Sequence, residues 1–249
     1  MARLSVSTRI YIGLVLVLAL LAGVSIYLPT LEGLMPPAEE LPAPKPVLAL
    51  ANAGIVLVAY GLLGGFGLKL SRKIGLPEIW DAGVSNRQRF LTPALIGSGL
   101  GVFLIISDII FASYNGIGRL VHPPFPTSIL ASLSAGIGEE LLFRLFFIPF
   151  WVWLISHLIL KGRGEKKVFW TVSVVSALAF ALGHIPALML LFGFKSVSHI
   201  PPALMLEIIL LNGVVALFCA YYFKKYGYLA AAGIHFWTDV VWHVVWGLF

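Results

Sequence analysis

Long apolar runs separated by short polar segments are the main pattern along this chain of 249 residues. A run of about 18 or more apolar residues is typical of a membrane-spanning helix. Seven such runs cover residues 10–29, 47–68, 92–114, 128–160, 168–190, 203–223 and 228–249. The pattern therefore predicts an all-α fold, a polytopic transmembrane helical bundle with about seven spans.

The fourth run is long for a single span. Its 33 residues would make a helix of roughly 50 Å, against a hydrocarbon core of about 30 Å. It is either one long helix kinked near Pro149 or two shorter passes, which would give eight spans. Two passes would place the basic cluster at residues 161–167 on the outer side of the membrane, so we predict seven.

The distribution of positive charge orients the predicted bundle. With the N-terminus in the cytoplasm, 13 of the 17 Lys and Arg residues fall on the inner side, namely Arg3, Arg9, Lys69, Arg72, Lys73, Arg87, Arg89, Lys161, Arg163, Lys166, Lys167, Lys224 and Lys225. Lys45, Arg119 and Lys195 fall on the outer side. This asymmetry follows the positive-inside rule. We expect an integral membrane protein with a cytoplasmic N-terminus, in a prokaryotic cell membrane.

Composition excludes several other classes of protein. Hydrophobic residues make up 59% of the chain and charged residues 11%, whereas a soluble domain carries about 25% charged residues. A soluble enzyme, a disordered chain and a nucleic-acid binder are excluded, and a single cysteine, Cys219, excludes a disulfide scaffold. We expect one membrane-embedded domain over residues 1–249, with the lipid bilayer as a partner and no nucleic acid.

The polar segments and the glycines give weaker expectations. The inner segment 71–90 mixes apolar and charged residues, and we expect it to lie along the cytoplasmic interface. The small-residue pairs Gly61/Gly65 and Gly97/Gly101 have the spacing that lets helices pack closely. The first outer loop is predicted to be stiff because it contains five prolines, Pro36, Pro37, Pro42, Pro44 and Pro46.

Ionisable residues within the predicted spans include Asp108, Glu139, Glu140, Arg144, His184, His235, Asp239 and His243. Each costs a few kcal/mol in a membrane, so by default it marks function. Glu140 and Arg144 are four residues apart, a spacing that suits an ion pair. Glu139 lies about 100° around the same helix and has no partner in its own segment. The alternative is that both glutamates hold the bundle together through Arg144.

Further polar residues occupy other spans. His235, Asp239 and His243 are spaced at i, i+4 and i+8, so they share one helix face, which would let Asp239 orient a histidine or let the stripe line a proton path. His184 follows Phe180 by one turn and is either a catalytic group or an interhelical hydrogen-bonding residue. Asp108 and Asn212 are expected to form interhelical hydrogen bonds.

These side chains favour the activation of water. No pair forms a Ser/His or Cys/His arrangement, but a desolvated glutamate can take a proton from water while imidazoles stabilise an oxyanion. The set Glu139, His184, His235 and Asp239 also resembles a zinc shell, which would make the protein a metalloendopeptidase. Both routes hydrolyse an amide inside the membrane.

Three motifs follow one another on different predicted spans: Glu139-Glu140-x-x-x-Arg144, Phe180-x-x-x-His184 and His235-x-x-x-Asp239. In this order they resemble the signature of the CAAX-protease and bacteriocin-processing family, intramembrane endopeptidases that include the type II CAAX prenyl proteases. The resemblance covers about residues 128–249, the expected catalytic core. It implies a membrane-bound or lipidated peptide substrate, and no compulsory metal in the prenyl-protease branch.

The resemblance also implies a role for each matched position. Glu139 would be the base that activates water, assisted by His184, while His235 and Asp239 would polarise the scissile carbonyl. The other matched positions would support these groups, namely Glu140, Arg144 and Phe180, and we add His243 from the same helix face. At Asp239 the prenyl-protease branch has asparagine, so Asp239 must be protonated, act through His235 or ligate a metal.

The position of the site along the membrane normal is a separate expectation. Counted from the cytoplasmic ends at ~1.5 Å per residue, His235 lies roughly 10 Å deep and His184 roughly 24 Å, with Glu139 deeper. These residues meet only if the fourth and fifth helices extend beyond the membrane or tilt strongly. We expect a cavity between helices four, five and seven, open toward the cytoplasmic half of the bilayer.

The leading hypothesis is an intramembrane endopeptidase that cleaves a peptide bond near the cytoplasmic side, with a prenylated CAAX peptide as a candidate substrate. The alternative is a transporter or scaffold that uses the buried charges as a proton relay or packing network. Such a scaffold would tolerate Glu139→Gln, whereas a protease would not.

Overall fold

The computed structural model describes residues 4–31 and 41–249, and within these ranges it contains helices and loops but no strand. Six helices are long and apolar enough to cross a membrane: α1 Val6–Tyr27, α2 Lys45–Lys73, α3 Arg87–Phe111, α4 Thr127–Ile159, α5 Glu165–Phe192 and α6 Pro202–Tyr226. The last helix, α7, runs through Tyr228–Asp239, Val240–Val245 and Trp246–Leu248. The prediction of a polytopic helical bundle is confirmed, while Pro36 and Pro37 of the proline-rich loop lie outside the described residues.

The fourth apolar run forms one helix rather than two. Helix α4 continues for 33 residues from Thr127 to Ile159, so the alternative of eight spans is wrong. Pro149 lies in a short α-helical stretch, Ile148–Val152, between the wider π-helical turns of Leu141–Phe147 and Trp153–Ile159. Wider turns accommodate a proline in a helix, because its nitrogen has no hydrogen to donate.

The helix ends form two groups, which define the two ends of the bundle. At the basic end, the Ser7 hydroxyl accepts a hydrogen bond from the Trp80 amide (3.0 Å), and the Lys73 ammonium lies 4.9 Å from the Trp153 ring centre. This end contains residues 4–9, 69–91, 153–168 and 224–228. At the opposite end, the Thr127 hydroxyl donates to the Pro29 carbonyl (2.6 Å). This end contains residues 25–31, 112–127, 192–202 and 245–249.

The core is centred on α4. Its residues Leu141 and Ile148 have no exposed surface, and they belong to one apolar cluster with Leu68 of α2, Val215 of α6 and Ile234 of α7. Because α4 is surrounded in this way, the polar side chains that it carries are removed from lipid. The residues that follow the Glu139-Glu140 pair are therefore part of the most buried region of the protein.

The close helix contacts confirm one predicted glycine pair and correct the other. A Cβ atom at Gly97 would collide with the Ile234 carbonyl of α7, and one at Gly101 would lie 2.8 Å from the Thr238 carbonyl. On α2 the close contact is at Gly67, against the Leu145 carbonyl of α4, whereas Gly61 has nothing within 4 Å. The prediction for Gly61 was wrong because it used spacing alone, which does not show the face that meets a neighbour.

The segment between α2 and α3 closes the basic end of the bundle as a loop. Ile79 is 1% exposed and joins the main core cluster. The Arg89 guanidinium donates to the carbonyls of Asp81 (2.6 Å) and Val84 (2.8 Å) and lies 3.9 Å from the Trp80 ring centre. These bonds fix the loop beneath the helices.

Candidate active site

The paired glutamates lie where α4 changes from α-helical to π-helical turns, after Glu140. Glu140 is fully buried, and its Oε1 lies 3.1 Å from Nη1 of Arg144, which confirms the predicted ion pair. The same oxygen lies 2.8 Å from Nδ1 of His235, a contact that the sequence did not predict. One buried carboxylate therefore connects the first and third motifs.

His235 stands between three carboxylates. Its Nδ1 faces Glu140, while its Nε2 lies 3.7 Å from Oε2 of Glu139 and 3.6 Å from Oδ2 of Asp239. The Glu139 side chain is 37% exposed, against 13% for Asp239 and none for Glu140. Glu140 thus holds the imidazole from behind, and Glu139 is the carboxylate left open to a reactant.

Phe180 of α5 separates the two histidines of the site. Its ring centre lies 5.0 Å from that of His184 and 5.6 Å from that of His235, edge-on to both. The Arg144 guanidinium lies 5.1 Å from the same ring. A single aromatic side chain therefore packs against all three motifs, which explains its place one turn before His184.

His184 lies at a turn between two parts of α5, Glu165–Leu182 and Ile185–Phe192. Its Nδ1 is 2.9 Å from the Phe180 carbonyl oxygen. A carbonyl only accepts, so Nδ1 carries the proton and Nε2 is free to accept one. Within the described chain no hydrogen bond joins His184 to Glu139, His235 or Asp239, although all four line one cavity.

The start of α7 explains how residues predicted at different depths meet. Tyr228, the first residue of this helix, is 1% exposed and donates its hydroxyl to the Ile137 carbonyl of α4 (2.7 Å). Two turns later His235 is level with Glu139, while α4 continues for 20 residues beyond Glu139, to Ile159. The two residues meet because this half of α4 is longer than the first two turns of α7, so α4 extends or tilts past the level at which α7 starts.

The cavity beside these residues has a volume of about 610 Å³, within the range of ligand-binding pockets. It extends from Glu139 past Ser134 of α4 to Ser25 of α1 and Val121 of the α3–α4 loop. Ser25 and Val121 are exposed and belong to the opposite end. The predicted opening at the basic end is wrong, because that side of Glu139 is filled by packed side chains, including Leu141 and Tyr228.

Comparison with known proteins gives one family. Residues 121–241 match the family described as type II CAAX prenyl endopeptidase Rce1-like. This part of the chain is similar to that family. No curated protein and no solved structure matches the chain. The Rce1-like segment contains all three motifs, from Glu139 to Asp239, so the resemblance inferred from the sequence is confirmed.

The side chains of the predicted zinc shell do not gather around one point in the Rce1-like segment. In residues 4–31 and 41–249, no group of three or more His, Cys, Asp or Glu side chains is arranged to hold a metal ion. Glu140 already contacts Nδ1 of His235, and His184 stands apart across Phe180.

His243 is on the helix that carries His235 and Asp239, and a π-helical stretch, Val240–Val245, follows Asp239. His243 lines the same cavity, and its Nδ1 lies 3.1 Å from Nδ1 of His122 in the α3–α4 loop. His122 was missed because a histidine in a loop carries no periodic signal.

A second group of polar side chains is buried at the opposite end. Oδ1 of Asp108 accepts a hydrogen bond from the Leu120 amide (2.9 Å), and Nδ2 of Asn115 donates to Oε2 of Glu207 (2.7 Å). These bonds tie the α3–α4 loop to α3 and α6. Glu207 was missed although a carboxylate inside the sixth apolar run is the same signal as the others. Asn212 bonds to Ile208 of its own helix, so its predicted interhelical bond is wrong.

Proposed function

We propose that this protein is an intramembrane endopeptidase in which Glu139 takes a proton from the attacking water. The observation that carries this proposal is the position of Glu139, which is open to the cavity while its Oε2 lies 3.7 Å from Nε2 of a buried histidine, His235. The protease family matched by residues 121–241 supports the same reaction class. A carboxylate beside an apolar cavity is suited to general base catalysis.

The proposed reaction has two steps. As the water oxygen bonds to the carbonyl carbon of the scissile amide, Glu139 takes one of its protons and a tetrahedral oxyanion forms. The Glu139 proton then passes to the amide nitrogen, the C–N bond breaks, and an amine and a carboxylic acid leave. When both ring nitrogens of His235 carry a proton, Nδ1–H donates to Glu140 and Nε2–H is left to stabilise the oxyanion.

Asp239 acts through His235 in this proposal. Its Oδ2 lies 3.6 Å from Nε2 of His235, one helical turn away, so its charge stabilises the imidazolium that donates to the oxyanion. The free Nε2 of His184 accepts a hydrogen bond from the water or from the substrate amide. We propose that no metal is required, because each step has a proton acceptor or donor among these side chains.

The alternative of a transporter or scaffold has less support. Glu140 and Arg144 already neutralise each other in the buried core, so Glu139 is not needed to balance the charge of Arg144. The 37% exposure of the Glu139 side chain favours a role toward a bound molecule over one in packing.

Hydrolysis by the purified protein in detergent tests the proposal. The substrates are a quenched farnesylated peptide that ends in a CAAX sequence and the same peptide without the lipid, each with and without a zinc chelator. We expect wild type to cleave with the chelator present and Glu139→Gln to cleave about 10²–10⁴-fold more slowly. Glu165→Gln, which changes a partly exposed glutamate at the start of α5 that contacts His157 (3.2 Å), is the matched control.

The outcomes separate the mechanisms and the substrates. Loss of cleavage on chelation, restored by zinc, would overturn the metal-free mechanism. Equal cleavage by wild type and Glu139→Gln would overturn the role of Glu139. Asp239→Asn removes the charge that stabilises the imidazolium, but its amide can donate to the oxyanion directly, so we expect it to retain part of the cleavage. Cleavage of the peptide that lacks the lipid would show that the prenyl group is not required.

A further inference from the structure

We propose that substrates enter this site from the extracytoplasmic side of the membrane and present an apolar segment there. The inference rests on the proposed function, since it concerns access to the same site. Three independent observations carry it: the direction of the cavity, the packing beneath the catalytic residues, and the distribution of positive charge between the two ends of the bundle.

The cavity has its entrance at the opposite end. Exposed residues at its rim include Ser25, which follows the α-helical part of α1, and Val121 of the α3–α4 loop. Ser134 lies farther in, on the same helix as Glu139 and five residues before it. The described residues that line the cavity include none from the loops of the basic end.

The basic end is closed beneath the catalytic residues. Leu141, Cys219 and Tyr228 lie on this side of Glu139 and His235 and are 0%, 0% and 1% exposed. The fully buried Glu140–Arg144 pair completes this layer. A peptide from the basic end would have to displace a packed core and an ion pair, whereas one from the opposite end meets an existing opening.

The charges assign the two ends to the two sides of the membrane. All of the Lys and Arg residues predicted to be on the inner side, apart from Arg3, lie at the basic end. Only Lys45, Arg119 and Lys195 are near the opposite end. By the positive-inside rule the basic end is cytoplasmic, and the cavity therefore opens on the extracytoplasmic side.

The lining indicates the class of substrate. Aliphatic side chains from five helices form most of the wall, among them Leu21, Val56, Leu130, Leu191 and Leu211. No Lys or Arg is among the described residues that line it. A wall of this kind binds apolar groups and excludes charged ones. The fitting substrate is a membrane-anchored peptide with aliphatic groups next to the scissile bond, exposed at the outer leaflet.

Three serine-to-cysteine variants test the direction of the cavity without requiring proteolysis. Ser25→Cys marks the rim, Ser134→Cys the interior and Ser85→Cys the loop at the basic end, while wild type, whose Cys219 is fully buried, is the unlabelled control. Each is treated with a membrane-impermeant maleimide in intact cells and again after permeabilisation. We expect Ser25→Cys and Ser134→Cys to react in intact cells and Ser85→Cys only after permeabilisation.

Each other labelling pattern overturns the inference. If Ser134→Cys, like Ser85→Cys, reacts only after permeabilisation, the cavity opens to the cytoplasm. Reaction of Ser85→Cys in intact cells would invert the assigned orientation. Failure of Ser134→Cys to react while Ser25→Cys reacts would show that the cavity is closed. Because labelling does not depend on hydrolysis, these results remain distinct from an inactive protease, which would overturn the proposed function.

Discussion

Oε1 of Glu140 lies 2.8 Å from Nδ1 of His235, and this contact joins α4 to α7 inside the core. The same oxygen is paired with Arg144. The imidazole is therefore held at one nitrogen by a buried carboxylate whose own charge is neutralised. This leaves the other nitrogen directed at Glu139 and Asp239, where a substrate carbonyl would lie.

The buried ion pair gives a prediction for stability. Glu140→Leu leaves Arg144 charged and unpaired in the core, which costs about 3–5 kcal/mol in the free energy of unfolding. Replacing both residues, as in Glu140→Leu with Arg144→Met, removes the unpaired charge and restores most of this loss. Thermal unfolding in detergent measures both variants.

Hydrolysis supplies a second readout for the same pair. Both variants are expected to lose hydrolysis, because His235 loses its Nδ1 partner in each. A double variant less stable than Glu140→Leu alone would contradict this account.

The open position of Glu139 gives a kinetic prediction. Glu139→Gln keeps the shape of the side chain but removes its ability to take a proton, so kcat should fall by about 10²–10⁴-fold. KM should remain close to that of wild type, because the apolar wall that binds the substrate is unchanged. The unfolding temperature should also be unchanged, since the side chain is partly exposed. A change confined to KM would instead assign Glu139 to substrate binding.

The contact between α2 and α4 gives a matched pair of glycine variants. Gly67→Ala places a Cβ against the Leu145 carbonyl, and overpacking of this kind costs about 1–3 kcal/mol. Gly61→Ala, on the same helix, meets nothing within 4 Å and gains about 0.5–1 kcal/mol of helix stability. Thermal unfolding should move in opposite directions for the two variants. Equal shifts would mean that the close approach at Gly67 is not present in the protein.

His122 gives a prediction for the effect of pH on stability. Burial, and to a lesser extent the charge of Arg119, lowers the pKa of His122 in the α3–α4 loop to about 4, against about 6.5 in an unfolded chain. Between these values only the unfolded chain takes up the proton, so this contribution to stability is complete above pH 6.5 and is lost as the pH falls to 4.

A neutral variant isolates that contribution from the other titrating groups. His122→Gln cannot take up a proton, so the difference in unfolding temperature between wild type and the variant should shrink as the pH falls from 6.5 to 4. The measurement is a series of thermal unfolding curves at fixed detergent and salt. Parallel pH profiles for the two proteins would show that His122 is not buried in its neutral form.

Much of the site could be predicted because its signals are local. The ion pair of Glu140 with Arg144 follows from their spacing on one helix, and it forms as expected. The contact of His122 with His243 and that of Glu140 with His235 could not be predicted, because each joins residues 95 or more positions apart in the chain.

The sequence by itself determined the helical membrane fold, the resemblance to a protease family and a group of polar residues that line one cavity. It did so because the length of an apolar run, the side of a positive charge and the spacing of a motif are properties of short segments. Only the tertiary structure decided which side chains meet and where the cavity opens. Those features depend on contacts between segments that are distant in the chain, such as the hydrogen bond from the buried Tyr228 hydroxyl to the Ile137 carbonyl.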